Sequence, residues 1–310
     1  MNETTVLLTV GDLELTAYSL ILTLGALLAI VLTAFLGRKK LGVSSTLSLC
    51  LAVIFGAVIG ARVVYCATMI ESILVDFGEG WSFVFKLWEG GFTLYGAIWG
   101  GLIAAALYAH ATHRKIGKVL DLLAPGSALV LCCARAAEYF TSQGLGDYIE
   151  DEAMQVFPFA VESCYGSWQM PVFFYEAVAA AVILVVVLIS LGKSKEDGRT
   201  AQLFLVLMSL TQIILESWRE DEFIRFGFVR WNQIAAALVL LAVLILRLKK
   251  TAHDKNRRVW SIVRTALFVL GAGMIILIEF ALDKSSINNN LLYAVMAGTL
   301  VVMGVSLLRD

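Results

Sequence analysis

The stretch DLLAPGSALVLCCARAAEY, residues 121–139, decides the fold. It has the length and apolarity of a membrane span, yet Arg135 stands fourteen residues from its start and Glu138 three further on. A charge inside such a run costs at least about 2.5–3.5 kcal/mol on insertion scales, so it signals a partner or a ligand. Working outward, runs of about 20 apolar residues occupy 15–36, 45–67, 92–112, 121–139, 171–191, 201–218, 230–248, 260–281 and 290–308. With 310 residues, 59% of them hydrophobic, and a mean hydropathy of +0.83, a soluble α/β enzyme is excluded. The pattern predicts an all-α fold, a polytopic membrane helix bundle.

The breaks between runs alternate in charge. GRKK (37–40), HRKIGK (113–118), GKSKEDGR (192–199) and RLKKTAHDKNRR (247–258) are basic, whereas GDLE (11–14), VDFGEGW (75–81), GDYIEDE (146–152) and LDKSSINNN (282–290) are acidic or neutral. The positive-inside rule then puts the N-terminus outside and, after nine crossings, the C-terminus in the cytoplasm. The first run follows an acidic stretch, without a basic leader or a small-residue cleavage site, and is read as a retained helix. The long loop 140–170, with Phe157, Phe159 and Trp168, is expected at headgroup level.

Other chemistries find no support. A net charge of −1 with scattered Lys and Arg gives no nucleic-acid-binding surface. Five cysteines without a CxxC spacing point to neither a disulfide framework nor a metal site.

The buried charge gathers on one side of the bilayer. Arg62, in GARVVY, is five residues from the outer end of its run, roughly 7 Å deep. Arg135 is about 20 Å above the inner end of its own run, also in the outer half. Tyr18, Glu89, Tyr95, Gln143, Tyr175, Glu176, Glu216, Arg219, Arg225 and Arg230 fall near the same depth. Arg135 and Glu138 alone would make an i, i+3 ion pair, and Arg62 alone would snorkel. Together, arginines open to the outer leaflet suit a lipid phosphate, which a guanidinium grips through a fork of donors. In LWEGGFTLYGAIWGG (87–101), the glycines Gly90, Gly91, Gly96, Gly100 and Gly101 fit either a close-packed acyl chain or a small-xxx-small helix contact.

Several segments, in order, resemble the bacterial prolipoprotein diacylglyceryl transferases. LELTAYSLILTLG is similar to the family's first helix with its tyrosine, GARVVY to the Gly-Arg-Tyr element, and WEGGFTLYGAIWGG to the Gly-rich third helix. DLLAPGSALVLCCARAAEYFTSQGLGD resembles the signature from Ala-Pro to Gly, MPVFFYE the His-Pro-x-x-x-Tyr-Glu opening of the fifth helix, and LESWRED the Glu-x-x-Arg of the sixth. The resemblance covers residues 1–248, a seven-helix transferase-like core, and leaves 249–310 as a basic cytoplasmic linker and two extra C-terminal transmembrane helices.

The resemblance implies transfer of the diacylglyceryl group of phosphatidylglycerol to the lipobox cysteine thiol of a preprolipoprotein, at the outer leaflet of the bacterial cytoplasmic membrane. It implies neither cofactor nor metal. By the same resemblance, Arg135 and Arg219 bind and stabilise phosphate, Tyr18, Tyr175 and Glu176 line the pocket and Gly146 closes the signature, while Arg62, Gly91, Gly96, Gln143 and Arg230 are expected to complete the substrate seat from their position in the sequence. The chain departs from the family pattern at four places: Tyr95 stands for the third-helix histidine, Glu138 for the signature asparagine, Gln143 for a later glutamate, and Met170 for the histidine before Pro171. His110, His113 and His253 all sit in or beside cytoplasmic loops, so no histidine serves as the outer base. Tyr95 together with a carboxylate, Glu138 or Glu176, is expected to take the thiol proton. The competing readings are a paralogue that binds anionic phospholipid without transferring it, and a small-anion transporter.

Overall fold

The structure is a computed structural model, and it describes residues 5–10, 13–70, 81–86, 90–141, 143–164, 166–220, 225–251, 258–285 and 287–309. Glu89 and the side chain of Arg225 lie outside the described residues. Among those described are α1 (Ala17–Gly37), α2 (Val43–Thr68), α3 (Leu94–Ala111), α4 (Ile116–Ala137), α5 (Val172–Lys193), α6 (Arg199–Glu216), α7 (Trp231–Thr251), α8 (Arg258–Lys284) and α9 (Asn289–Leu308). Each falls on one of the expected runs. Eight are long and apolar enough to cross a membrane, α6 being the exception. That helix has 18 residues, bounded by Arg199 and Glu216. Its length of about 27 Å nearly matches a hydrocarbon core, and its Gln212 and Glu216 are buried against polar side chains of the protein. The chain is a multi-pass helical membrane protein.

Local chemistry sets the helix starts. Thr16 and Ser19 form a reciprocal cap on α1, each backbone N–H donating to the other's hydroxyl at 3.1 Å. Thr93 Oγ1 accepts from Gly96 N at 3.2 Å to open α3. Three two-stranded antiparallel sheets were not anticipated: β1 (Val6–Val10) with β2 (Leu13–Thr16), β3 (Val161–Glu162) with β4 (Trp168–Gln169), and β5 (Arg225–Phe226) with β6 (Val229–Arg230). Each occupies a break before or between helices, where no periodic run is long enough to mark it.

The chain forms two compact units. One comprises Val6–Val130 and Val186–Ala201; the other is built of Leu131–Val185 and Gln202–Asp310. In the first, α2 and α3 meet backbone to backbone. A Cβ on Gly60 would strike the carbonyl of Gly96 and come within 2.7 Å of Gly100 Cα; one on Gly100 would strike the carbonyl of Gly56. The glycines of 96–100 are therefore a helix contact, matched by Gly56 and Gly60 opposite. Gly100→Val is expected to destabilise the protein by about 3 kcal/mol or more, read as a lowered Tm in detergent. Gly101→Ala, whose Cβ meets Val53 Cγ1 at an ordinary 3.5 Å, serves as the unperturbed control.

The core of this unit continues through Leu49, Ala105, Ala109 and Val119. Asp121 of α4 accepts from Gly198 N at 2.7 Å and Ala201 N at 2.8 Å, satisfying amides at the start of α6 that lack helical partners.

In the second unit, α4 tightens into a 3-10 turn at Glu138–Phe140. The chain then crosses the start of α5. Phe173 N donates to Gly144 O at 2.8 Å, and Gly146 N donates to Met170 O at 2.8 Å. Gly146 also pairs across to Arg219. The α8–α9 hairpin, expected as an addition beyond residue 248, belongs to this unit together with α7. Gly304 of α9 faces Leu210 of α6, where a Cβ would stand 2.5 Å from Leu210 Cδ1.

Candidate active site

The second unit encloses a cluster of charge. Arg135, Glu138, Glu176, Gln212, Glu216 and Arg219 are all buried. Arg135 comes from the last turn of α4, Glu138 from the 3-10 turn after it, Glu176 from the first turns of α5, and Gln212 and Glu216 from α6. Arg219 follows α6 by three residues.

The geometry is a closed ring. Arg135 Nη1 donates to Glu138 Oε1 at 2.5 Å, its Nε lies 3.3 Å from Glu176 Oε2, and its Nη2 donates to Gln212 Oε1 at 3.1 Å. Arg219 Nη1 donates to Glu176 Oε2 at 2.6 Å and its Nη2 to Glu138 Oε2 at 3.3 Å. Each arginine thus touches both carboxylates, and each carboxylate bridges both arginines. Gln212 Nε2 completes the ring, donating to Glu176 Oε1 at 3.0 Å and Glu216 Oε2 at 2.7 Å. Asn232 Nδ2 donates to the other oxygen of Glu216 at 3.0 Å. The space left beside Arg135, Glu176 and Gln212 is about 10 Å³, too small for more than a single water.

Two glycines make this ring possible. Gly144 has φ +75° and would place a Cβ 2.5 Å from Glu138 Oε2, so only glycine lets the loop pass over that carboxylate. At Gly146 a Cβ would strike the carbonyl of Trp218 and crowd Val172 Cγ2 at 2.9 Å. The absence of a side chain there brings the Arg219 segment alongside the loop.

An open apolar cavity of about 530 Å³ adjoins the ring's elements, lined by Ala136, Tyr139, Phe157, Trp168, Phe173 and Phe174 among others. Ala136 is next to Arg135 in sequence, and Tyr139 is next to Glu138. Tyr175 stands beside Glu176, half-buried, with its hydroxyl donating to Pro158 O at 3.0 Å and its ring edge-on to Trp218. Arg230 donates from Nη2 to the main-chain oxygen of Arg219 and lies 4.0 Å from Glu220 Oε1. Of the expected site residues, Arg135, Glu138, Glu176 and Arg219 meet directly. Arg230, Gly146 and Tyr175 frame them, and Gln143 is exposed in the loop.

The remaining expected residues, Tyr18, Arg62, Gly91, Tyr95 and Gly96, belong to the other unit. Arg62 requires a correction. All five of its N–H donors end on main-chain carbonyls: Nε on Val84 at 3.3 Å, Nη1 on Gly90 and on Gly91 at 3.3 Å, and Nη2 on Phe83 at 2.6 Å and Lys86 at 3.0 Å. No fork remains for a phosphate, and the guanidinium instead folds the chain ahead of α3. Gly91, φ +75°, is part of that arrangement, since a Cβ there would lie 2.8 Å from Arg62 Nη1. Gly96 serves the α2–α3 contact. Tyr95 is 1% exposed in the first turn of α3.

Sequence reasoning overlooked Gln212, Asn232, Gln233 and Ser217, uncharged residues inside or beside apolar runs. The i, i+4 spacing of Gln212 and Glu216 was a usable signal, since it puts both on one helix face.

The sequence is similar to those of several known proteins. A phosphatidylglycerol–prolipoprotein diacylglyceryl transferase of Clostridium botulinum (strain Langeland) is 23% identical over 236 residues, 75% of this chain and 91% of that protein. The enzyme of the same name from Lactobacillus delbrueckii subsp. bulgaricus (strain ATCC BAA-365) is 26% identical over 251 residues, covering 76% and 87%. That of Symbiobacterium thermophilum is 27% identical over 166 residues, covering 53% and 62%. The sequence profile of the prolipoprotein diacylglyceryl transferases matches residues 5–249, from β1 through α7, and the chain belongs to that family.

Proposed function

We propose that the protein transfers the diacylglyceryl group of phosphatidylglycerol to the lipobox cysteine thiol of preprolipoproteins, at the outer leaflet of the bacterial cytoplasmic membrane. The observation that carries this reading is the Glu138 carboxylate held between Arg135 and Arg219, at 2.5 and 3.3 Å. Two guanidinium forks converging on one oxyanion are suited to a phosphate in the same place. The cavity of about 530 Å³ next to them suits hydrocarbon.

The bridging carboxylate links the two halves of the reaction. The cysteine S–H gives its proton to Glu138, and sulfur attacks the glyceryl carbon while the bond from that carbon to the phosphate oxygen breaks. Protonated Glu138 no longer competes for the arginines. They turn to the phosphate as it gains charge, in a site with little water, where such stabilisation is strongest. Glycerol phosphate leaves, and the thioether remains on the peptide. Tyr175 and Glu176 are assigned as groups that hold the forks in place.

The charge pattern of the loops favours an external N-terminus and puts the end of α4, which carries the cluster, at the outer side. The test supplies a lipobox peptide and labelled phosphatidylglycerol to the purified protein in detergent or nanodiscs. The expected result is a peptide heavier by one diacylglyceryl group, with glycerol phosphate released. Phosphatidylglycerol binding without product would replace the transferase by a lipid-binding paralogue.

A further inference from the structure

The α8–α9 hairpin lies beyond the segment that matches the family, residues 5–249. Its helices are apolar, and two charged side chains are buried in them, with different tasks. Arg264 stays within the hairpin, donating from Nε to Ser306 O at 2.9 Å and from Nη2 to Arg309 O at 2.6 Å. Glu279, 7% exposed, reaches out of it. Its Oε1 accepts from Gln233 Nε2 of α7 at 2.7 Å and from Ser217 Oγ, just past the end of α6.

Gln233 is the hinge of a longer chain of bonds. With its NH₂ end on Glu279, on Ser217 Oγ at 2.9 Å and on Ile213 O at 3.2 Å, its oxygen is turned to accept from Arg230 N at 3.1 Å. Arg230 in turn donates through Nη2 to the main-chain oxygen of Arg219. A carboxylate only accepts, so Glu279 dictates which way the Gln233 amide faces. A reversed amide would set oxygen against carboxylate and NH₂ against the Arg230 N–H. The hairpin therefore holds the orientation of a side chain two hydrogen bonds away from Arg219.

We infer that Glu279 makes the C-terminal hairpin a positioning element for Arg219, acting through Gln233 and Arg230. This rests on the assignment of Arg219 to the phosphate, and it goes beyond that assignment by giving the extra helices a part in the reaction. Misplacing a transition-state ligand by a fraction of an ångström lowers turnover more than ground-state binding.

The full-length protein, Glu279→Ala and Glu279→Gln are compared in nanodiscs by transfer kinetics and by amide hydrogen exchange at residues 218–220. Glu279→Ala is expected to lower kcat by about 10- to 100-fold with KM within about twofold. Exchange at 218–220 should rise by about tenfold. Glu279→Gln, whose amide oxygen accepts the same two bonds, is expected to restore both. Parental kcat and exchange in Glu279→Ala would overturn the inference. So would a fall in Tm with unchanged exchange at 218–220, or a glutamine variant no better than alanine. Should the parent itself make no lipidated peptide, the transferase reading fails, and the exchange data alone decide whether the positioning chain stands.

Discussion

Arg219→Lys is expected to lower diacylglyceryl transfer by about 10²- to 10³-fold, the loss that follows removal of one aligned donor from a transition-state anion. Lysine keeps the positive charge beside Glu138 and Glu176, so the buried carboxylates retain a counter-ion and the protein folds. It lacks the fork. At present Nη1 serves Glu176 at 2.6 Å while Nη2 serves Glu138 at 3.3 Å, and a single ammonium group cannot hold both directions in one plane. Single-turnover rates with saturating phosphatidylglycerol measure the effect. Arg219→Ala is less informative, because an uncompensated buried carboxylate costs about 3–5 kcal/mol and the protein would be lost to unfolding. A lysine variant with the parental rate would remove Arg219 from the mechanism.

Glu138→Gln has the second large effect, and its signature is a split. Loss of the proton acceptor should lower kcat by about 10²- to 10⁴-fold. The amide can still accept from Arg135 or Arg219, but it no longer presents a rival anion, so phosphatidylglycerol should bind more tightly. A lower kcat with a lower KM is the pattern of a group that burdens the ground state and assists the transition state. Equilibrium binding of a short-chain phosphatidylglycerol, measured beside the kinetics, separates the two. If both affinity and rate are unchanged, Glu138 is only a structural counter-ion.

The helices were legible because a span is written as about 20 consecutive apolar residues, a signal that survives whatever surrounds it. Their starts were also readable after the fact at Thr16 and Thr93, where a hydroxyl stands three residues before the amide it accepts from. The site was legible only in depth. Position along a helix placed Arg135, Glu138, Glu176 and Arg219 at one level, and the structure brings these four together. Direction around the helix was not written, because a helix that is apolar on every face carries no periodicity to orient it.

Arg62 shows the result. Expected from the sequence at the depth of Arg135, it turns to five carbonyls of its own loop, whereas Arg135 turns to side chains of α5 and α6. Gln212 and Gln233 escaped notice for the complementary reason. An uncharged amide in an apolar run has no charge to mark it, although the two-ended hydrogen bonding of each joins three helices, α4, α5 and α6 at Gln212 and α6, α7 and α8 at Gln233. The glycines of 96–100 were correctly assigned two possible uses, and only the facing Gly56 and Gly60 decided between them.

The carbonyls that enclose Arg62 lie 21 to 29 residues downstream of it. At synthesis rates of about 5–20 residues per second, the second helix is therefore offered to the lipid for about one to six seconds before its arginine can be neutralised by main-chain dipoles. In that interval the cation is free only to reach for the headgroups. Final seating of this helix must wait for the segment that follows, so the order of translation is built into how the chain enters the bilayer.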